Sequence, residues 1–83
     1  MTNLDLLTLM LRAKVLTYTL TGDITTLEEF VLSKLDEFRR FPHSEGNRIA
    51  HHVIELGQHL REGLIDDVEG KRQLRRAFGM PST

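Results

Sequence analysis

The 83-residue chain has no cysteine and no tryptophan, only two prolines, and aromatic side chains limited to four Phe and one Tyr. Without cysteine it can form no disulfide scaffold, thiolate metal site or cysteine nucleophile, which suits a reducing compartment, and a cytoplasmic location is the expectation. Neither sign of charge dominates: 11 Lys and Arg stand against 12 Asp and Glu, a formal net charge of -1. So even a balance argues against a strongly cationic nucleic-acid binder and against an acidic mimic of DNA, and leaves only local patches to act. Apolar residues make up 40% of the chain, yet no apolar run approaches the roughly 18 residues of a membrane span. Asp5 stands where a secretory signal would be basic and no small-residue cleavage site follows, so the first stretch reads as part of the fold. Also missing are a Gly-rich phosphate loop and the sharp turn that would expose Ser33, Ser44 or Ser82 as a nucleophile. The carboxylates fall mostly at capping or exposed positions, and no enzyme is expected.

What the chain does have is helical periodicity. Residues 45 to 62, EGNRIAHHVIELGQHLRE, form the longest unbroken pattern. Ile49, Val53, Leu56 and Leu60 line one stripe of a 3.6-residue rod, Ala50, Ile54, Gly57 and Leu64 widen it on one side, and His52 and His59 flank it on the other. Ser44 is the natural cap of this helix and Gly63 its stop. Asn3 to Thr21 is apolar nearly all round: Leu4, Leu7, Leu11 and Tyr18 follow one face, with Leu6, Leu9, Met10, Ala13, Leu16 and Leu20 around it. A helix of that kind is buried on more than one side, although Val15, Thr17, Tyr18 and Thr19 also suit a strand. Thr25 with Glu28 and Thr26 with Glu29 read as overlapping capping boxes that open an amphipathic helix running to Arg40, where Phe41-Pro42 stops it. Asp66 with Glu69 opens a last helix, acidic at its start and basic at its end, that closes at Gly79 before Met80-Pro81. The expected fold is all-α, a small four-helix up-and-down bundle with helices near 3–21, 26–40, 45–62 and 66–78 in one domain over residues 1–83.

The polar residues offer two candidate surfaces. His52, Glu55, His59 and Glu62 form a stripe beside the core seam of the central helix, suited to the rim of a protein interface. Together with His43 and His51 they are also the nearest thing to a metal-ligand cluster. His52 and His59 are seven residues apart, roughly 10.5 Å of helical rise, so they cannot share one ion at the ~2.0 Å reach that zinc requires. His52 with Glu55, or Glu55 with His59, would need further ligands from a second chain, and polar residues bordering the core are the stronger reading. No cofactor is expected. Lys71, Arg72, Arg75 and Arg76 cover one face of the last helix. These cations match the negative end of the helix dipole, and they also suit an acidic partner or phosphate. Without interleaved aromatics or helix-turn-helix spacing, a regulatory nucleic-acid binder is the lesser alternative.

The segment LTGDITTLEEFVLSKLDEF, residues 20 to 38, with EGLIDDVEG, residues 62 to 70, resembles the small helical immunity proteins that bacteria make against colicin-like toxins. The likeness lies in the Gly-Asp-Ile-Thr turn leading into Glu-Glu-Phe on an amphipathic helix. It implies a stoichiometric inhibitor that binds a toxin and performs no chemistry. The even charge balance departs from the strong acidity of the nuclease-inhibiting members, which counts against a nuclease target. The overall expectation is a non-enzymatic protein-interaction module, a homodimer or a toxin complex. A chain this small has a thin core that a second surface would complete.

Overall fold

The computed structural model describes residues 3–79. Four helices form, α1 (Asn3–Thr21), α2 (Ile24–Arg39), α3 (Glu45–Arg61) and α4 (Asp67–Ala77), and no strand occurs among the described residues. Each helix packs on its neighbour in the chain, α4 returns to α1, and α1 also meets α3 across the bundle. The all-α four-helix expectation is met.

Local chemistry sets the boundaries. The Ser44 hydroxyl accepts from the Asn47 amide at 3.1 Å, and the Asp66 carboxylate accepts from the Glu69 amide at 2.9 Å, so both caps satisfy an amide that the helix itself leaves unpaired. At the end of α3, Leu64 N–H donates to the His59 carbonyl at 2.9 Å and Gly63 N–H to that of Leu60 at 3.2 Å. This closure needs a left-handed residue, and Gly63 supplies it at φ 72°. The Met80-Pro81 stop and Ser82 lie outside the described residues.

The start of α2 differs from expectation. Neither threonine opens it: Asp23 is the cap, accepting from the Thr26 amide at 3.2 Å and from its hydroxyl, and the helix begins two residues before position 26, at Ile24. An ionised carboxylate is the stronger acceptor for an orphan amide. Glu28, the acidic half of the first expected box, points instead into the α2/α3 interface. The second correction concerns Leu64, which is 65% exposed because α3 ends at Arg61 and carries it past the core.

The core takes one stripe from each helix. Leu7, Leu11, Val15 and Tyr18 come from α1, Leu27, Val31 and Phe38 from α2, and Ile49, Ala50, Val53 and Leu56 from α3; Leu74 and Phe78 close the end contributed by α4. Leu60 packs at the edge of this cluster. The strand-favouring Val15 and Tyr18 are held in a helix because both are fully covered there, so burial outweighs a propensity difference of well under ~1 kcal/mol per residue.

Candidate functional site

Helix α1 carries two apolar faces and the bundle uses one. Leu7, Leu11, Val15 and Tyr18 face the core, whereas Leu6, Leu9, Met10, Leu16 and Leu20 remain between 40% and 84% exposed. Ala13 is exposed between them. Leu6, Leu9, Ala13, Leu16 and Leu20 recur at steps of three, four, three and four, which is the period of a seam between two packed helices. The face is continuous because helical residues at those steps lie one above another.

Two further features keep this face apolar. Thr17 is the one polar residue between Leu16 and Leu20 that shares it, and its hydroxyl donates to the Ala13 carbonyl at 3.0 Å. The cations on either side of Ala13 are drawn to the flanks. Arg12 reaches over the Phe78 ring at 5.8 Å from its centroid, and Lys14 over the Phe30 ring at 6.0 Å, contacts within the range of cation–π attraction. The result is a strip with charge at its borders and none along its centre. Monomeric proteins leave such strips open at binding sites more often than elsewhere.

The polar candidates read from the sequence lie elsewhere. His52 and His59 are half-buried against their own bundle, while Glu55 and Glu62 are exposed. His59 Nε2 stands 4.0 Å from Glu55, and Glu62 accepts from Gln58 Nε2 at 3.1 Å, so the stripe is knit along its own helix. The buried His52 Nε2 has no hydrogen-bond partner among the described residues. His51 Nδ1 is 2.8 Å from the Asn47 carbonyl and donates to it. No three metal-ligating side chains converge among the described residues. On α4, Arg72 donates to Glu69 at 3.0 Å and the Lys71 ammonium lies beside the Gly22 turn, while Arg76 is exposed and Arg75 partly so. No hydrogen bond or ion pair among the described residues joins the histidine stripe to the basic face.

Burial, then the negative charge of Asp67, pushes the Tyr18 phenol up to about 12. The hydroxyl and amide of Thr26 hold the Asp23 carboxyl below its usual range. The first is a core group and the second a helix cap.

Sequence reasoning registered the excess of apolar residues on α1 and missed the site they make. The signal was present in the three-four spacing from Leu6 to Leu20, which interleaves with the core set at Leu7, Leu11, Val15 and Tyr18. No helix among the described residues is long and apolar enough to cross a membrane, so the exposed strip is not a span. No protein-family model, no curated protein and no solved structure matches the chain.

Proposed function

We propose that the protein works by binding another protein chain and not by catalysis, with the outer face of α1 as its docking surface. The observation that carries this reading is the row of five large apolar side chains, Leu6, Leu9, Met10, Leu16 and Leu20, that the bundle leaves open on one helix. Holding them in water forgoes roughly 25 cal/mol for each Å² that burial would cover. A helix laid along the strip recovers that energy with few polar groups to desolvate. The likeness of residues 20–38 and 62–70 to bacterial immunity proteins supports stoichiometric toxin neutralisation as the specific form of this role. In that form the complex is one to one and the toxin loses activity on binding.

The test compares two baits in affinity capture from the organism that encodes the chain: wild type, and a variant carrying Leu9→Lys and Leu16→Lys. Both substitutions are at exposed positions, so the variant is expected to keep its helical circular dichroism. Wild type is expected to retain a chain that the variant loses. Identical capture by the two baits would remove α1 from the binding surface.

A further inference from the structure

The border of the apolar strip that lies toward α4 carries a row of cations. A Cβ at Gly22, just past the end of α1, would lie 3.8 Å from the Lys71 ammonium, and one at Gly70 would lie 2.8 Å from the Tyr18 hydroxyl. Further back on α1, Arg12 stands over the ring of Phe78. The two helices therefore run antiparallel, with Lys71 at one end of their contact and Phe78 at the other. Arg75 is one turn from each and falls between them on the same side of α4. On α1, Leu9, Arg12, Leu16 and Leu20 follow one line at steps of three and four. Arg12, Arg75 and Lys71 thus form a positive edge beside Leu9, Leu16 and Leu20. We propose that this edge selects the occupant of the strip, an amphipathic helix of a partner protein with Asp or Glu along the flank that lies over α4. The proposal rests on the reading of the outer face of α1 as a docking surface.

The bundle does not neutralise this edge. Among the described residues no ion pair joins Arg12, Lys14, Lys71 or Arg75 to a carboxylate. Lys71 and Arg75 are partly exposed, and Arg12 and Lys14 are exposed. The acids nearest the strip stand toward its ends: Asp5 before Leu6, Asp23 past Thr21 and bonded to Thr26, and Asp67 one turn before Lys71. Its middle is bordered by cations on both sides, Arg12 and Arg75 toward α4 and Lys14 toward Phe30 of α2.

Charges flanking an apolar seam decide which helices pair across it. A basic flank would meet Arg12, Arg75 and Lys71 with like charge, and a neutral one would gain the apolar contact alone. Carboxylates gain both, and the planar guanidinium of Arg12 or Arg75 can hold one by two parallel bonds. A phosphate backbone would match the cations but leave the leucines in water. Pairs of this exposure contribute modestly and are screened by salt. The edge therefore sets the choice of partner, and the leucines supply most of the attraction.

Three synthetic helical peptides test this, sharing one leucine seam and carrying Glu, Gln or Lys at the flanking positions, each titrated with the full chain by fluorescence anisotropy. The Glu-flanked peptide is expected to bind about tenfold more tightly than the Gln-flanked one at low salt, with the Lys-flanked one weakest and the differences fading toward about 0.5 M salt. Lys71→Gln with Arg75→Gln should shrink the preference for Glu, and Lys71→Glu with Arg75→Glu should turn it toward Lys. Leu9→Ser with Leu16→Ser should weaken all three peptides. Equal binding of the Glu- and Gln-flanked peptides, or no binding of any, overturns the acidic helix as occupant. Affinity capture separates this outcome from failure of the docking surface itself. If the Lys71→Gln, Arg75→Gln bait keeps a chain that the Leu9→Lys, Leu16→Lys bait loses, the surface stands without selection by charge. If every bait captures alike, both readings fall.

Discussion

The carboxylate of Glu28 on α2 occupies the space that a side chain at Gly57 on α3 would need. Glu28 is nearly covered, and both terminal nitrogens of Arg61 donate to its Oε2, Nη1 at 2.9 Å. A glycine in mid-helix gives up about 1 kcal/mol against alanine. Here the loss is offset because a charged group can be placed between two helices and still be paired.

Gly57→Ala should therefore destabilise the bundle although alanine is the better helix former. Overpacking of this kind costs about 1–3 kcal/mol, outweighing the gain in propensity. In a Glu28→Ala background the same change should become neutral or stabilising, since the obstructing carboxylate is gone. Chemical denaturation of the four proteins gives the coupling directly. Additive effects would show that Gly57 is not there to admit Glu28.

Tyr18 and Gly70 form a similar pair between α1 and α4. A Cβ at Gly70 would lie 2.8 Å from the Tyr18 hydroxyl, which is buried and has no hydrogen-bond partner among the described residues. An unpaired buried hydroxyl contributes little, so Tyr18→Phe should stay within about 1 kcal/mol of wild type. Gly70→Ala should cost more in wild type than in Tyr18→Phe. The pH response carries a sign. The folded phenol, raised from 10.0 to about 12, keeps a proton that the unfolded chain loses first. Its contribution is whole below pH 10 and is lost as pH rises toward 12, by roughly 2–3 kcal/mol. Tyr18→Phe should flatten that alkaline fall. Denaturation at pH 9 and at pH 11 or above checks it, and equal slopes in the two proteins would refute it.

Capping makes the contrasting prediction in acid. The folded Asp23 carboxyl titrates below its ordinary value through its bonds to Thr26. Its contribution is present above the unfolded value and is lost as pH falls through the folded one. Asp23→Ala should lower stability at neutral pH and lose part of the acid sensitivity of the wild type. Ser44→Ala should cost about 1 kcal/mol, the usual loss for a capping hydroxyl, with no change in pH dependence. Parallel urea titrations at pH 7 and pH 3 separate the two effects.

How much could be read in advance depends on how local the deciding interaction is. Ser44 and Asp66 were legible as caps because each bonds an amide three residues on. The start of α2 was not, because Asp23, Thr25 and Thr26 all offer a cap and Glu28 is committed to Arg61, 33 positions away. Gly57 reads in the sequence as part of the apolar stripe, and only the folded chain shows that the Glu28 carboxylate lies against it. The polar stripe on α3 could be located from periodicity, whereas its internal pairing, His59 with Glu55 and Glu62 with Gln58, depends on rotamers. For α1 the sequence presented two apolar faces of similar strength, and periodicity cannot choose between faces that both satisfy it. Tertiary contact chose the one bearing Val15 and Tyr18.

The two faces of α1 should respond oppositely to the same substitution. Leu11 is fully buried, whereas Leu9, two residues away, is 51% exposed. Leu11→Ala removes core volume and should cost about 2–5 kcal/mol at every protein concentration. Leu9→Ala should stay within about 0.5 kcal/mol of wild type in dilute solution, where exposed positions contribute little. A helix bound along α1 stabilises the folded state with the logarithm of its own concentration. The wild type should then gain thermal stability as the Glu-flanked peptide is added in excess, and Leu9→Ala should gain less. A wild-type melting temperature that the peptide leaves unchanged would mean that the outer face of α1 takes no such helix.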